Sequence, residues 1–326
     1  MDAKLKARCD RQITNEKALR NMSTLVSEPS IKVGSLLYTA LDLPVSDDNV
    51  YAAQQILETK GRFFSNFRGV LQALLLLRMA VSKNPETYID TIIDTYNQLE
   101  KETGISGLFT VLSSVIITEQ HKDQEIGSVV TQVADLFGHI RSSHPERSNE
   151  SELAYVALMY CSGKADIGLE EEKEKIYTAL RDKLQISDEA ARATTLVLMT
   201  NSRSAAVKVD EFVDFYKRLQ LTGHATGKNQ YMSIYGAFAD LKFLEELDIP
   251  ENETIAAIGE VDDYLKKQPG YGPFSIKKDM RRVLAAALTL QHYTIEIPQA
   301  RIADFDPDVS IELLLFIVMM SLVAIS

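Results

Sequence analysis

Apolar positions along this chain recur at helical spacing, and the pattern itself returns about every 80 residues. The copies centre on Tyr96 with Leu112, Tyr177 with Leu196, and Tyr264 with Leu284. Two kinds of stretch alternate. Val70 to Val81 (VLQALLLLRMAV) and Leu108 to Ile117 are apolar on almost every side, and a helix of that kind is buried on almost every side. Each of its leucines contributes about 1.5–3 kcal/mol when fully buried. The other kind carries one stripe. Ile89, Ile92, Ile93, Tyr96 and Leu99 form one, and Ile126, Val129, Val130, Val133, Leu136, Phe137 and Ile140 form the clearest. Ile176, Tyr177, Leu180 and Leu184 repeat it, as do Val209, Phe212, Val213, Tyr216 and Leu219, and Ile255, Ile258, Val261, Tyr264 and Leu265.

Punctuation fits the same elements. Asn84-Pro85-Glu86 reads as an N-cap, a proline in the first turn and an acid at the positive end of the helix dipole. Ser187-Asp188-Glu189 reads the same way, and Ser46 or Asn49 caps the helix of Val50, Ala53 and Leu57. Ile234, Tyr235, Phe238 and Leu241 predict a further helix, and the alternation Tyr293, Ile295, Ile297 predicts a short strand before Pro298. The expected fold is all-α: a two-layer helical repeat array, solenoid or α/α toroid-like, of about three degenerate repeats of roughly 80 residues. The divisions are an N-terminal helical region 1–60, repeats 61–146, 147–228 and 229–298, and a C-terminal apolar helix 299–326.

Composition narrows the function classes. Fifteen glycines and nine prolines are too few for an all-β or collagen-like chain. The formal net charge of −11 repels phosphate backbones, so no nucleic-acid partner is expected. Lys266, Lys267, Lys277, Lys278, Arg281 and Arg282 form the one basic cluster, read as a solvated helix surface beside Tyr271 and Phe274. Cys9 and Cys161 cannot build a disulfide framework, and residues 1–20 lack the apolar core of a secretory signal. A cytoplasmic location is the expectation. Leu313 to Ile325 is free of charge but shorter than the roughly 20 residues a span needs. A buried or interface helix is favoured there over a dimerisation helix or a membrane anchor, with Asp306-Pro307-Asp308 as its start. A membrane partner is unlikely on that reading.

No pattern carries recognisable chemistry. The five histidines lack the paired spacing of a zinc protease, and His139 fits the last turn of its helix, where a cation suits the dipole. Glu170, Glu171 and Glu172 read as the acidic first turn of the Ile176 helix, and Asp262-Asp263 as a solvated face. Gly227-Lys228 lacks the first glycine and the hydroxyl of a phosphate loop. No catalytic residue, metal ligand or cofactor is assigned. The candidates for an anion or partner contact are Arg68, Arg78, Arg141 and His144; arginines beside apolar helices suit a carboxylate or phosphate. Asn149 and Glu152 read as cap and capping residue of the next helix.

The segment Arg141 to Pro145, the helix start Glu152-Leu153-Ala154, the Tyr177/Leu180 and Phe215/Leu219 helices, and Phe67-Arg68 resemble a bacterial family of uncharacterised proteins, domain of unknown function 4003. The resemblance covers roughly residues 60 to 326 and implies a bacterial cytoplasmic helical protein, with no activity, cofactor or functional residue to transfer. The leading expectation is a non-enzymatic helical-repeat interaction protein, with a protein partner or self-association. An enzyme or small-anion-binding protein with a cleft between helical layers, and a membrane-peripheral protein held by residues 309–326, stand as alternatives.

Overall fold

The computed structural model describes residues 1–22, 28–60, 70–120, 126–143, 150–161, 163, 168–200, 203–238, 249–298, 313–314 and 316–318. Among these, every regular element is helical. The chain divides into two compact units, Asp10–Ala165 and Met1–Cys9 with Asp166–Ser326. Helix α1 (Ala3–Arg20) starts in the second unit and ends in the first.

The first unit holds α2 (Glu28–Ala40), α3 (Asp47–Thr59), α4 (Val70–Val81), α5 (Pro85–Thr103), α6 (Leu108–Gln120), α7 (Ile126–Ser143) and α8 (Ser151–Cys161). Its starts and stops follow from local chemistry. Ser46 and Asn84 accept from the N–H groups of Asn49 and Thr87, Pro85 opens α5, and Gly104 ends it at φ 68°, where a side chain would be strained. Helix α4 packs against α2, α3 and α5, and α6 against α5 and α8. Leu74, Leu75 and Leu77 of α4, and Val111, Val115 and Ile116 of α6, are wholly buried. Gly34 lets α2 approach α4 closely, since a Cβ there would lie 2.2 Å from a methyl carbon of Leu77. Glu16 and Lys32 form a buried ion pair between α1 and α2.

The second unit holds α9 (Leu169–Leu184), α10 (Asp188–Leu198), α11 (Ala205–Leu221), a 3-10 segment (Gln230–Phe238), α12 (Glu251–Lys266) and α13 (Lys278–Gln291). Ser187 caps α10, and Glu170, Glu171 and Glu172 fill the first turn of α9 as expected. The N-terminal residues dock here: the Met1 amine lies 2.8 Å from Glu260, Arg8 donates to Gln291 at 3.1 Å, and Lys6 sits over the Tyr264 ring.

Three local expectations change. The stretch carrying Ile234, Tyr235 and Phe238 is a 3-10 segment, not an α-helix. It is pressed against α10, where a Cβ on Gly236 would lie 2.9 Å from Val197, and Phe238 stacks on Phe215 at 5.3 Å. The predicted strand at 292–297 is a π-helical turn, His292–Glu296, continuing α13. Alternation there reflects burial of Tyr293 and Ile295 against the core, and Thr294 back-bonds to the Leu290 carbonyl instead of pairing with a strand. Tyr96 is buried, whereas Tyr177 bonds Asp188 and Tyr264 receives Lys6, both half-exposed; the three positions do not share one environment.

Among the described residues, no helix is long and apolar enough to cross a membrane. Most of 309–326 lies outside them, as does Asp306-Pro307-Asp308. Leu314, Phe316, Ile317 and Val318 are described, and all four are buried.

Candidate functional site

At one end of the second unit, α11 runs into the loop 222–229, and α12 and α13 are joined by the loop 267–277. Asp262 stands where these segments meet. Its position on α12, four residues after Ile258 and three before Leu265, places it on the buried stripe, and it is 2% exposed. A lone carboxylate there costs several kcal/mol. Arg281 answers it with Nε 2.6 Å from Oδ1, Arg282 brings Nε within 3.7 Å of Oδ2, and Nδ1 of His224 lies 2.9 Å from Oδ2. Burial pushes the Asp262 carboxyl up. The hydrogen bonds from Arg281 and His224 and their charges outweigh it and hold the group below its ordinary value.

The two arginines also brace backbone. Arg282 donates through both terminal nitrogens, to the carbonyls of Gly223 and Ala225, and Arg281 donates to the Tyr271 carbonyl at 3.5 Å. Tyr216 donates to the Thr226 carbonyl at 3.0 Å, and the Thr226 N–H donates to the Tyr235 hydroxyl at 3.1 Å. Asp279 accepts from the Gly227 N–H and from Asn229, while Lys228 donates to the Leu184 carbonyl. The Gly227-Lys228 pair is therefore loop anchorage, with a carboxylate where a phosphate loop would present its N–H to an anion.

His224 is partly exposed, packed over Gly259, and its Nε2 faces Asp263 at 3.9 Å. An ionised carboxylate accepts only, so Nδ1 carries a proton toward Asp262. Carboxylates therefore stand on both sides of the ring. Among the described residues, no group of three histidine, cysteine, aspartate or glutamate side chains is placed to hold a metal ion.

The outer face of this end is different. Tyr271 is fully buried, yet Phe274, three residues on, is fully exposed. Turns from Gly272 to Ser275 and Ile276, at 2.9 and 3.2 Å, fix the tip. Lys266 and Lys267 end α12 and Lys277 and Lys278 begin α13, so both pairs flank the same tip, all four exposed. Leu221, at the end of α11 beside the braced loop, is 88% exposed.

Two sequence readings are corrected here. The basic cluster is not uniformly a solvated surface: its four lysines are exposed, but Arg281 and Arg282 are buried on Asp262. Asp262-Asp263 is not a solvated face either, since only Asp263 faces outward. The signals were present in the helical phase of Asp262 and in the Arg281-Arg282 pair that follows. No sequence cue placed His224 beside them, because that contact spans 38 residues through a loop.

The other candidates lie in the first unit. Arg78 is buried, with Nη1 3.3 Å from Glu119, to which the Tyr88 hydroxyl also donates at 2.7 Å. Arg141 is exposed in the last turn of α7. Arg68, His144 and the Asn149 cap fall outside the described residues.

No curated protein and no solved structure matches the chain. A family does: the one described as Protein of unknown function (DUF4003) matches residues 20–324. With nearly the whole length covered, the chain belongs to that family.

Proposed function

We propose that this is a non-enzymatic helical interaction protein acting inside the cell, and that its working surface is the loop end of the second unit. One observation carries the reading. Asp262, Arg281 and Arg282 at that end are turned inward to hold two loops, while Phe274 and Leu221 are held outward in water. Burying an exposed phenylalanine on contact releases about 1.5–3 kcal/mol, and a braced loop loses little freedom in doing so. The helical elements suit this role, since stacked helices present loops and faces to partners.

The test is a photo-crosslinking survey with the full chain in cells. Benzoylphenylalanine is placed at position 274, and in a control at Tyr51, which is 64% exposed in the first unit. Adducts concentrated at 274 are expected. Equal or absent adducts at the two positions would refute the reading.

A further inference from the structure

The chemistry of the loop end also says what it meets. We propose that the tip carrying Phe274, with Lys266, Lys267, Lys277 and Lys278 around it, docks on an anionic lipid surface. This rests on the loop end being the working surface. It is separate from the C-terminal segment, whose described residues Leu314, Phe316, Ile317 and Val318 are buried.

Charge is the first argument. The whole chain carries −11, yet the segment 263–279 sets four lysines against Asp263 and Asp279, and Asp279 is occupied by Gly227 and Asn229. Among the described residues none of the four lysines is in an ion pair. Acidic groups elsewhere are screened beyond about 8 Å at physiological salt, so the tip meets an anionic plane with its own local sign.

Shape is the second. A stable protein interface buries about 800 Å² on each partner around a packed apolar centre. A single phenylalanine at the tip of a loop is convex and falls short of that. It is suited to entering a soft medium, where lysines at the rim keep their ammonium groups among head groups and their stems in the apolar zone. Lysine rather than arginine fits as well, because a plane of anions asks for charge and not for a planar fork.

The brace is the third. Tyr271 is fully buried and its carbonyl is held by Arg281, so insertion of Phe274 displaces nothing in the core.

The experiment uses the full chain and sedimentation with extruded vesicles. One set is phosphatidylcholine with about one-third phosphatidylserine, and the other is phosphatidylcholine alone. The protein is expected to sediment with the first and not the second, and to be released by high salt. Phe274→Ala should weaken partitioning about tenfold. Each lysine changed to glutamate should weaken it about fivefold or more, and the quadruple Lys266→Glu/Lys267→Glu/Lys277→Glu/Lys278→Glu variant should not bind. These side chains are exposed, so unchanged thermal midpoints verify the fold. Failure to sediment with anionic vesicles, or wild-type sedimentation of the quadruple variant, overturns the proposal. Binding of a soluble polyglutamate peptide, lost in the quadruple variant while vesicles are ignored, overturns lipid in favour of an acidic protein segment and leaves the working surface in place. Absence of position-274 crosslinks removes that surface altogether.

Discussion

Each unit buries charge, but to different ends. In the first, Lys32 is wholly buried and paired with Glu16, and Gln12 joins them by donating to Glu16, to Ser35 at 2.6 Å and to the Lys32 carbonyl. The network ties α1 to α2 mainly through side chains. Burial pushes the Glu16 carboxyl up and the Lys32 ammonium down, and their mutual attraction only partly offsets it. In the second unit, Asp262 is held down despite burial, and its arginines reach past it to the carbonyls of Gly223, Ala225 and Tyr271. One cluster is a replaceable rivet between helices. The other shapes a surface, because removing it frees two loops. Buried charge alone therefore does not mark a functional site; what it holds does.

The sharpest way to break this contrast is paired replacement. Lys32→Met alone, or Asp262→Ala alone, leaves partners buried without a counter-charge and should cost about 3–5 kcal/mol. Glu16→Leu with Lys32→Met should return to within about 1 kcal/mol of wild type, since apolar pairs often match ionic ones. Asp262→Leu with Arg281→Met should not recover, because Arg282 and His224 keep their positions and lose their carboxylate. Urea midpoints of the four variants decide it. Full recovery in both clusters would erase the distinction.

A smaller effect separates the two aromatics of one loop. Tyr271→Ala empties a buried site and should lower stability by about 3 kcal/mol, while Phe274→Ala should stay within about 0.5 kcal/mol. Thermal unfolding of both variants checks this, and a large loss for Phe274→Ala would mean that the side chain is structural.

The smallest effect is in acid. Asp262, held below its ordinary 3.8, gives stability that is complete above that value and lost as pH falls through the lower folded value. Glu16, raised above its ordinary 4.5, binds its proton more tightly when folded, so its contribution falls as pH rises from 4.5 toward the folded value. Stability measured across pH 3 to 7 (roughly the carboxylate range) should therefore show a shallower acid decline in Asp262→Asn, with Asp2 and Glu28 still contributing, and gain relative stability near neutrality in Glu16→Gln. Opposite signs would reverse the assignments.

Helix type was legible in the sequence wherever local periodicity and capping decided it. Leu71 and Ala73 to Ala80 are buried as the apolarity of their helix requires, and Asn84, Pro85 and Ser187 start helices as their chemistry dictates. The 3-10 segment was not legible, because its geometry comes from contact with Val197 and Phe215 and not from its own residues. The loop end was half legible. The basic cluster could be read, but which members turn inward depends on Asp262, and His224 arrives from a distant loop. Arg78 could be picked out as a candidate for anion contact, but its internal carboxylate partner, Glu119, lies 41 residues away.

The claim that the Asp262 cluster exists to hold the loop 222–229 is tested most directly by amide hydrogen exchange in Arg282→Met. Protection of Thr226 and Gly227, whose N–H groups donate to Tyr235 and Asp279, should collapse, while that of Ile89 to Leu99 in α5 stays unchanged. Undiminished protection at Thr226 and Gly227 would contradict the account.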